Sequence, residues 1–263
     1  RYENAKSVNY KKAYQIYKSL MQDPENFTFI ISGNYSIENA LPLLQKYLGN
    51  LPQQQKRKLE TDKKHLPIFQ PKTPFKKIYR PDIPFQNVHI YQTYLRQLKD
   101  TISLKAKIEY DLLTSILNLR IYELRFKKER AVYIATARNG IDLLNKLQFI
   151  NLNLSCSIED FHRVENDLIE MVNNLKVNGV DEDMFELVMR SNRNYYYSNV
   201  ARGKNKRMLE SLYNHYQFGI PYYKQDQVDR IFNSIKREDI PLIAQKYLDD
   251  KFLMNFAAKS DVN

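Results

Sequence analysis

The feature that most constrains this chain is a strand with two chemically different faces, which runs from Leu147 to Cys156. Its residues alternate, with Ile150, Leu152 and Leu154 on one face and Asn151, Asn153 and Ser155 on the other. Successive side chains of a strand point to opposite sides of a sheet. The pattern therefore predicts a sheet with one covered and one polar face, and other elements must supply the cover.

Strand-like and helix-like segments are mixed along the chain. Strand character is found in Phe27–Ile31, Phe75–Tyr79, Asn87–Leu95, Ala131–Ala137 and Phe252–Ala257. Helical spacing of apolar residues is found in Val8–Met21, Ile37–Leu48, Ser103–Tyr122, Glu159–Leu175, Asp181–Val200, Asn205–Phe218, Val228–Ser234 and Arg237–Tyr247. Asn139-Gly140 is predicted as a turn, which favours antiparallel pairing of its two flanking strands. Together these segments predict an α+β fold, an antiparallel sheet covered by helices.

The opening stretch, residues 26–52, has the pattern of a single β-α unit. Phe27–Ile31 is predicted as a strand, Gly33-Asn34 as a turn and Ser36 as the N-cap of the following helix. Gly49 then ends that helix. Because the helix has one apolar face, we expect it to lie on a sheet.

Composition limits the class of protein. The chain has 263 residues, of which 43% are hydrophobic, enough for one large domain. No apolar run approaches the roughly 20 residues of a membrane span, so we expect a soluble protein. The net charge is +11, and basic residues concentrate at Lys56–Lys64 and Arg202–Arg207. This charge leaves a nucleic-acid-binding protein as an alternative, although no Arg- and aromatic-rich signature accompanies either cluster.

Motifs for independent catalysis are absent from the sequence. The segment His162-Arg163-Val164-Glu165-Asn166 comes closest to the inverted zinc motif H-x-x-E-H, but Asn166 stands where the second His belongs. A catalytic zinc needs three protein ligands, so we interpret His162 as an exposed residue in the first turn of a helix. Cys156 is the only cysteine and lies in a strand, where burial is expected. We therefore predict no catalytic residue and no metal ligand in this chain.

One pair of residues has binding potential. Leu124-Arg125 ends the long helix, and Tyr133 lies in the strand that follows. A guanidinium and a phenol at such a join can hold a peptide carbonyl or a carboxylate. An ordinary surface Arg and a packed Tyr fit the same pattern.

The order of elements and the opening motif resemble the pitrilysin/insulinase family of zinc metallopeptidases, whose domains have a mitochondrial-processing-peptidase-like fold. The resemblance is carried by Phe27-Thr28-Phe29, by the turn Gly33-Asn34 and by the segment Lys46-Tyr47-Leu48-Gly49-Asn50-Leu51-Pro52. It implies a linker helix at residues 1–25 and a single zinc-free domain at residues 26–263, with the basic loop 53–74 inside it.

In this family a zinc-bearing domain works with a partner domain of similar fold that lacks the metal. The resemblance implies that this chain is such a partner and that Arg125 and Tyr133 bind substrate. Their order matches the family's L-R-x6-Y arrangement, although seven residues intervene here. Zinc is then expected in the catalytic domain, not in this chain.

The function implied is that of a C-terminal non-catalytic portion of a metallopeptidase, which encloses and orients peptide for a zinc-bearing domain outside this chain. Alone, the chain is expected to be inactive. The first residue is Arg1, which fits a fragment of a longer chain. A stand-alone inactive or structural subunit that pairs with an active homologue is the alternative within the family. Since bacterial relatives are often exported, we expect a periplasmic or cell-envelope location.

Overall fold

The computed structural model describes residues 8–21, 24, 27–51, 74–80, 87–98, 102–127, 132–142, 145–201, 204–220 and 223–259. The described α-helices are α1 (Tyr10–Met21), α2 (Ile37–Tyr47), α3 (Leu104–Lys127), α4 (Phe161–Asn178), α5 (Glu182–Ala201), α6 (Lys204–Phe218), α7 (Gln225–Ser234) and α8 (Ile240–Tyr247). The described strands are β1 (Phe75–Tyr79), β2 (Asn87–Gln97), β3 (Val132–Asp142), β4 (Leu147–Ser157) and β5 (Leu253–Ala258). Short 3₁₀ turns at Arg237–Asp239 and Asp250–Phe252 flank α8. The α+β class is confirmed.

The five strands form one sheet in the order β1-β5-β2-β4-β3. The predicted antiparallel pairing of β3 with β4 is confirmed. The turn predicted at Asn139-Gly140 is wrong, because both residues lie inside β3 and pair with Ile150 and Phe149 of β4. One pair departs from the predicted antiparallel sheet, because β5 runs parallel to β1. The last strand inserts between β1 and β2 and is antiparallel to β2, which leaves it parallel to β1.

One face of the sheet is buried under helices. Val88 and Ile90 of β2 and Leu152 and Leu154 of β4 are fully buried in the same apolar cluster as residues of α3, α4, α7 and α8. Helix α3 crosses this cluster and ends at Lys127, five residues beyond the Tyr122 predicted from its apolar stripe. The alternation of β4 thus predicted correctly which face is covered.

The predicted strand at Phe27–Ile31 is wrong. This segment has no regular secondary structure and joins none of the described strands. The following helix does form, and the Ser36 hydroxyl caps it by accepting a hydrogen bond from the Asn39 N–H at 3.3 Å. No residue of α2 is buried, however, so the expected packing of this helix on a sheet does not occur here. A strand needs a neighbouring strand for its backbone groups, and the described sheet offers this segment none.

Two smaller predictions are confirmed and two others cannot be placed. The Asp181 carboxylate accepts a hydrogen bond from the Met184 N–H at 2.8 Å at the start of α5, and Cys156 is buried. The cluster Lys56–Lys64 lies outside the described residues, as do Arg202 and Gly203 of the second basic cluster. Among the helices that the structure describes, none is long and apolar enough to cross a membrane.

Candidate functional site: the open face of the sheet

Most side chains on the second face of the sheet are partly buried or exposed, and we call this the open face. Across the strands it is made of Lys77 and Tyr79 on β1, Met254 and Phe256 on β5, His89, Tyr91 and Thr93 on β2, Asn151 and Asn153 on β4, and Thr136 and Arg138 on β3. The opposite parity of each strand enters the core. The open face therefore joins all five strands into one accessible surface.

Aromatic rings occupy the half of the open face formed by β1, β5 and β2. The ring centroids of Tyr79 and Phe256 are 6.3 Å apart, and those of Phe256 and Tyr91 are 6.4 Å apart. The His89 ring lies 6.5 Å from the Tyr91 ring and nearly parallel to it. Rings at these separations form a continuous apolar surface with polar edges.

Amide and hydroxyl groups occupy the other half, on β4 and β3. The Asn151 side-chain amide donates to the Thr93 hydroxyl at 2.9 Å. Asn153 lies in register between Tyr91 and Thr136. Such groups can donate to and accept from a peptide backbone in an extended conformation. The face thus combines apolar area with amide chemistry. Its described carboxylate, Asp142, lies at the far end of β3, where Asn145 donates to both of its oxygens.

Tyr133 lies at the edge of the sheet, at an irregularity in β3. The register with β4 shifts between Val132, which is opposite Cys156, and Ile134, which is opposite Ser155. Tyr133 is the extra residue of this β-bulge and is 49% exposed, and Ile134 beside it is 42% exposed. Bulges redirect side chains at sheet edges. Here the bulge leaves two neighbouring large side chains exposed, where strict alternation would bury one of them.

Arg125 lies near the C-terminal end of α3 and is partly buried. Its guanidinium is 5.1 Å from the centroid of the Phe126 ring, which in turn lies 4.3 Å from the Tyr122 ring. Tyr122 and Phe126 are more than half exposed. The end of α3 therefore presents a cation beside two exposed aromatic rings.

The hydrogen bonds between α3 and β3 indicate where Arg125 stands relative to Tyr133. Asn118 of α3 binds the backbone of Ala137 in β3. Arg125 is seven residues further along, so it lies on nearly the same side of the helix, about 10 Å beyond Asn118. Going back about 10 Å along β3 from Ala137 reaches its first residues. Arg125 and Tyr133 thus lie at the same end of the α3–β3 pair, and their role in binding substrate stays a prediction.

Asn118 also limits what the edge strand β3 can bind. Its side-chain amide donates to the Ala137 carbonyl at 2.8 Å, and its carbonyl accepts from the Ala137 N–H at 2.7 Å. These backbone groups would otherwise be available to an added strand. The middle of β3 is therefore closed to strand addition. Of the described strand, the part that precedes Ala137 in the chain is the end near Tyr133.

The residues that most resemble a zinc motif do not form a metal site. His162 is exposed at the start of α4, whereas Glu165 is buried and bound to other groups. The Glu165 carboxylate accepts from the Lys76 ammonium at 2.6 Å and from the Asn255 amide at 3.2 Å. Across the described residues, no three His, Cys, Asp or Glu side chains come together to hold a metal ion. These residues do not fit zinc, and Glu165 ties α4 to β1 and β5.

Cys156 does not have the environment of a nucleophile. It is fully buried in β4, and burial, with a smaller contribution from Asp160, raises the pKa of its thiol to about 12. The thiolate is the reactive form of cysteine. A thiol that stays protonated at neutral pH and has no access to solvent serves packing only.

A groove of about 650 Å³ lies on the helical side of the molecule, between α3 and α4. Charges of both signs line it, among them Arg120, Glu123, Asp167 and Glu170. Arg120 and Glu123 pair at 3.4 Å. The groove is open, three carboxylates face one Arg among its lining residues, and no nucleophile and base are brought together there.

Two parts of the site were not predicted from the sequence. The role of Asn118 has one weak signal, a polar residue directly after two apolar residues of the α3 stripe that are fully buried. The aromatic cluster could not be found because Tyr79, Tyr91 and Phe256 are far apart in sequence and meet only through the strand order. The polar face of β4, in contrast, was read correctly from its alternation.

The described part of the chain is a five-stranded sheet with helices on one face, and the comparisons with known proteins identify the family that has this fold. A sequence model described as "Peptidase M16 inactive domain" matches residues 7–192, which is most of the chain. The chain therefore belongs to the inactive-domain family of the M16 peptidases, which is the pitrilysin/insulinase family expected from the opening motif.

Solved structures of M16-type proteases share the fold. The periplasmic protease PqqL from Escherichia coli aligns with a TM-score of 0.68 at 13% identity, over 87% of this chain and 25% of that one. A protease from Helicobacter pylori aligns with a TM-score of 0.68 at 14% identity, over 86% of this chain and 54% of that one. The peptidase M16 inactive domain from Pseudomonas fluorescens aligns with a TM-score of 0.59 at 15% identity, over 74% of this chain and 45% of that one.

The chain thus spans a quarter to about half of the length of the structures that it matches. No curated protein matches it at the level of sequence. These comparisons show the family and the fold, and the substrate and the partner are matters for a proposal.

Proposed function

We propose that this chain is the substrate-enclosing, non-catalytic part of an M16-type zinc metallopeptidase. Its open face would form one wall of a chamber, and a zinc-bearing domain outside this chain would form the opposite wall and supply the chemistry. Zinc bound there would polarise the scissile carbonyl and activate water.

The single observation that carries this proposal is the composition of the open face. Aromatic rings of Tyr79, Phe256 and Tyr91 adjoin the amides of Asn151 and Asn153, and the carboxylate of Asp142 lies apart from them at the end of β3. Ring faces accept apolar side chains of a peptide, and amides pair with its backbone whatever its sequence. Lys77 and Arg138 at the two margins would favour peptides with acidic residues.

Arg125 and Tyr133 would orient the peptide at one end of this wall. Both lie at the same end of the α3–β3 pair, and Tyr133 is lifted out of the regular strand by the bulge. A guanidinium and a phenol can each donate to a peptide carbonyl, and orientation of the reacting groups lowers the barrier to reaction. Since Asn118 blocks the middle of β3, a peptide that pairs with this strand would do so only near Tyr133.

The cell envelope is the location that we propose, because PqqL, a protease of the same fold, is periplasmic.

The proposal is tested by substitution in the intact protease with a fluorogenic peptide. Arg125→Ala is expected to lower kcat/KM by about 10- to 100-fold, because a misplaced reacting group costs rates of this order. The matched control is Arg190→Ala, which removes an exposed Arg of α5 away from the open face.

Double substitution of Tyr91 and Phe256 to Ser should raise KM, since it removes the aromatic surface that would hold the peptide. Unchanged kinetics for Arg125→Ala would show that the Arg125–Tyr133 pair does not orient the peptide. Unchanged kinetics for the double variant would show that the open face is not a wall of the chamber.

A further inference from the structure

We propose that the described residues 8–21 and 27–51 are a docking unit, which adds a strand and two helices to a neighbouring protein domain with an open sheet edge. That domain is the zinc-bearing partner, so the identity of the partner, though not the existence of the surface, rests on the proposed function.

Burial sets this segment apart from the rest of the molecule. No described side chain between residues 8 and 51 is buried. More than half of the exposed large apolar side chains of the described chain nevertheless fall there. Monomeric proteins seldom expose so much contiguous apolar surface without a binding purpose.

Helix α1 exposes an apolar seam. Tyr10, Tyr14, Tyr17 and Met21 follow one another at steps of four, three and four residues, and each is more than half exposed. This spacing places the four side chains on one side of a helix, as in helices that pack against another helix or lie in a groove. The seam is therefore suited to a partner surface that is itself apolar.

The segment Phe27–Ile31 has a strand-like sequence but pairs with no described strand of this chain. Phe27, Phe29 and Ile31 occupy every second position and are exposed, on the parity that a strand would present to one face. The rings of Phe27 and Phe29 lie 6.2 Å apart. Strand addition would satisfy the backbone of this segment and bury these side chains at the same time.

Helix α2 completes the unit. It is capped by Ser36 and fully formed, yet Ile37, Leu41 and Tyr47 are 71%, 48% and 64% exposed. In a β-α unit the helix covers the sheet to which its strand belongs. Since the strand does not belong to the sheet of this chain, the sheet that α2 covers must belong to the partner.

The occupant is a second domain, for two reasons that are independent of the apolar seam. Structures that match this chain continue well beyond the matched part, which is only 25% of the PqqL chain and 54% of the Helicobacter protease. In addition, α1 carries Lys11, Lys12 and Lys18 and no acidic residue. We therefore expect acidic residues beside the sheet edge that receives it, and an affinity that falls with salt.

The test is binding of the full chain to the separately produced zinc-bearing domain of the same protease, measured by calorimetry without peptide. Phe29→Lys is expected to weaken the complex at least tenfold. The matched control, Leu242→Lys, changes a side chain of α8 that is 65% exposed, and should leave Kd within twofold. Both variants should have the same melting temperature as the wild-type chain, which excludes a folding defect.

Hydrogen exchange supplies the second readout. The amides of residues 27–31 should exchange quickly in the chain alone and become protected in the complex. Absence of binding, equal weakening by both variants, or unprotected amides in the complex would each overturn the docking proposal. Dimerisation of the chain that is abolished by Phe29→Lys would also overturn it, because a second copy would then be the occupant.

Failure of docking and failure of the proposed function are distinguishable. A complex that depends on Phe29 but cleaves no peptide would leave the docking unit standing and remove the chamber role. Peptide cleavage that is insensitive to Phe29→Lys would do the reverse.

Discussion

Two regions of this molecule have similar sequence patterns and different structural outcomes. Helix α4 and helix α2 both repeat apolar residues at helical spacing, and both begin after a segment with strand character. In α4 seven residues are buried, whereas in α2 none is. The comparison shows that an amphipathic pattern predicts which face of a helix will be buried. It does not predict which part of the protein, or which partner, buries that face.

The reason for the difference is the partner strand. β4 precedes α4 and is paired along its whole length with β2 and β3. Phe27–Ile31 precedes α2 and is paired with neither, so α2 has no sheet beneath it. Helices in proteins draw most of their stability from packing of this kind. The comparison therefore predicts that substitutions in the two regions will have unequal effects.

The largest difference is expected between Phe232→Ala and Phe29→Ala. Phe232 is fully buried and packs edge-on against Tyr196, with ring centroids 5.5 Å apart. Its truncation should cost about 3–5 kcal/mol of unfolding free energy. Phe29 is half exposed, so its truncation should cost less than about 0.5 kcal/mol. Urea denaturation of the chain alone measures both, and comparable losses would contradict the contrast between the regions.

Alkaline pH should destabilise the folded chain, because its core contains a cysteine and tyrosines that are neutral when buried. Burial raises the pKa of Cys156 to about 12 and the pKa values of Tyr94 and Tyr110 well above the ordinary 10.0. In the unfolded chain these groups ionise from about pH 9 upward. Their neutral forms thus favour the folded state fully below pH 9, and this contribution is lost as pH rises from about 9 toward 12.

The urea midpoint should accordingly fall between pH 9 and pH 11. Cys156→Ala should make the first part of that fall shallower, since it removes the group with the lowest unfolded pKa. A midpoint that stays constant over this range would contradict the burial of all three groups.

A smaller loss is expected from Lys76→Met, which breaks the pair that ties β1 to α4. Lys76 is half exposed, but Glu165 is 3% exposed and would lose a 2.6 Å hydrogen bond. A buried carboxylate left with fewer partners should cost about 1–3 kcal/mol. Asp226→Asn, which breaks the exposed pair with Arg230, is the control and should cost less than about 1 kcal/mol. Equal effects would mean that Glu165 is better solvated than its burial indicates.

The smallest of the four effects is expected from Asn118→Ala. It removes two hydrogen bonds to Ala137, which are together worth about 1–2 kcal/mol. Asn194→Ala, at an exposed position of α5, corrects for the better helix propensity of Ala. Amide exchange at Ala137 should also quicken, because this N–H loses its acceptor. Unchanged exchange would show that the middle of β3 is protected by something other than Asn118.

Much of the fold was predictable because its signals are local. The alternation of Leu147–Cys156, the caps at Ser36 and Asp181, and the apolar stripe of α3 each depend on neighbouring residues, and all are confirmed. The parallel pairing of β5 with β1 was not predictable, because it depends on where the last strand enters the sheet. Strand order is a property of the whole chain that no single stretch contains.

The candidate site follows the same division. Arg125 and Tyr133 were proposed from their order in the sequence. That their side chains bind substrate stays a prediction. The aromatic part of the open face became visible only when β1, β5 and β2 were placed side by side. The strand predicted at Phe27–Ile31 failed for a related reason, since its pattern is satisfied only by a sheet that this chain does not provide.

The most direct test of the central claim is zinc content and peptide hydrolysis of this chain alone and of the chain combined with its zinc-bearing partner. The account predicts that the chain alone is metal-free and inert and that the combination cleaves peptides faster than the zinc-bearing domain does by itself. Zinc binding and hydrolysis by the chain alone would contradict it, and a metal site would then have to be sought outside the described residues.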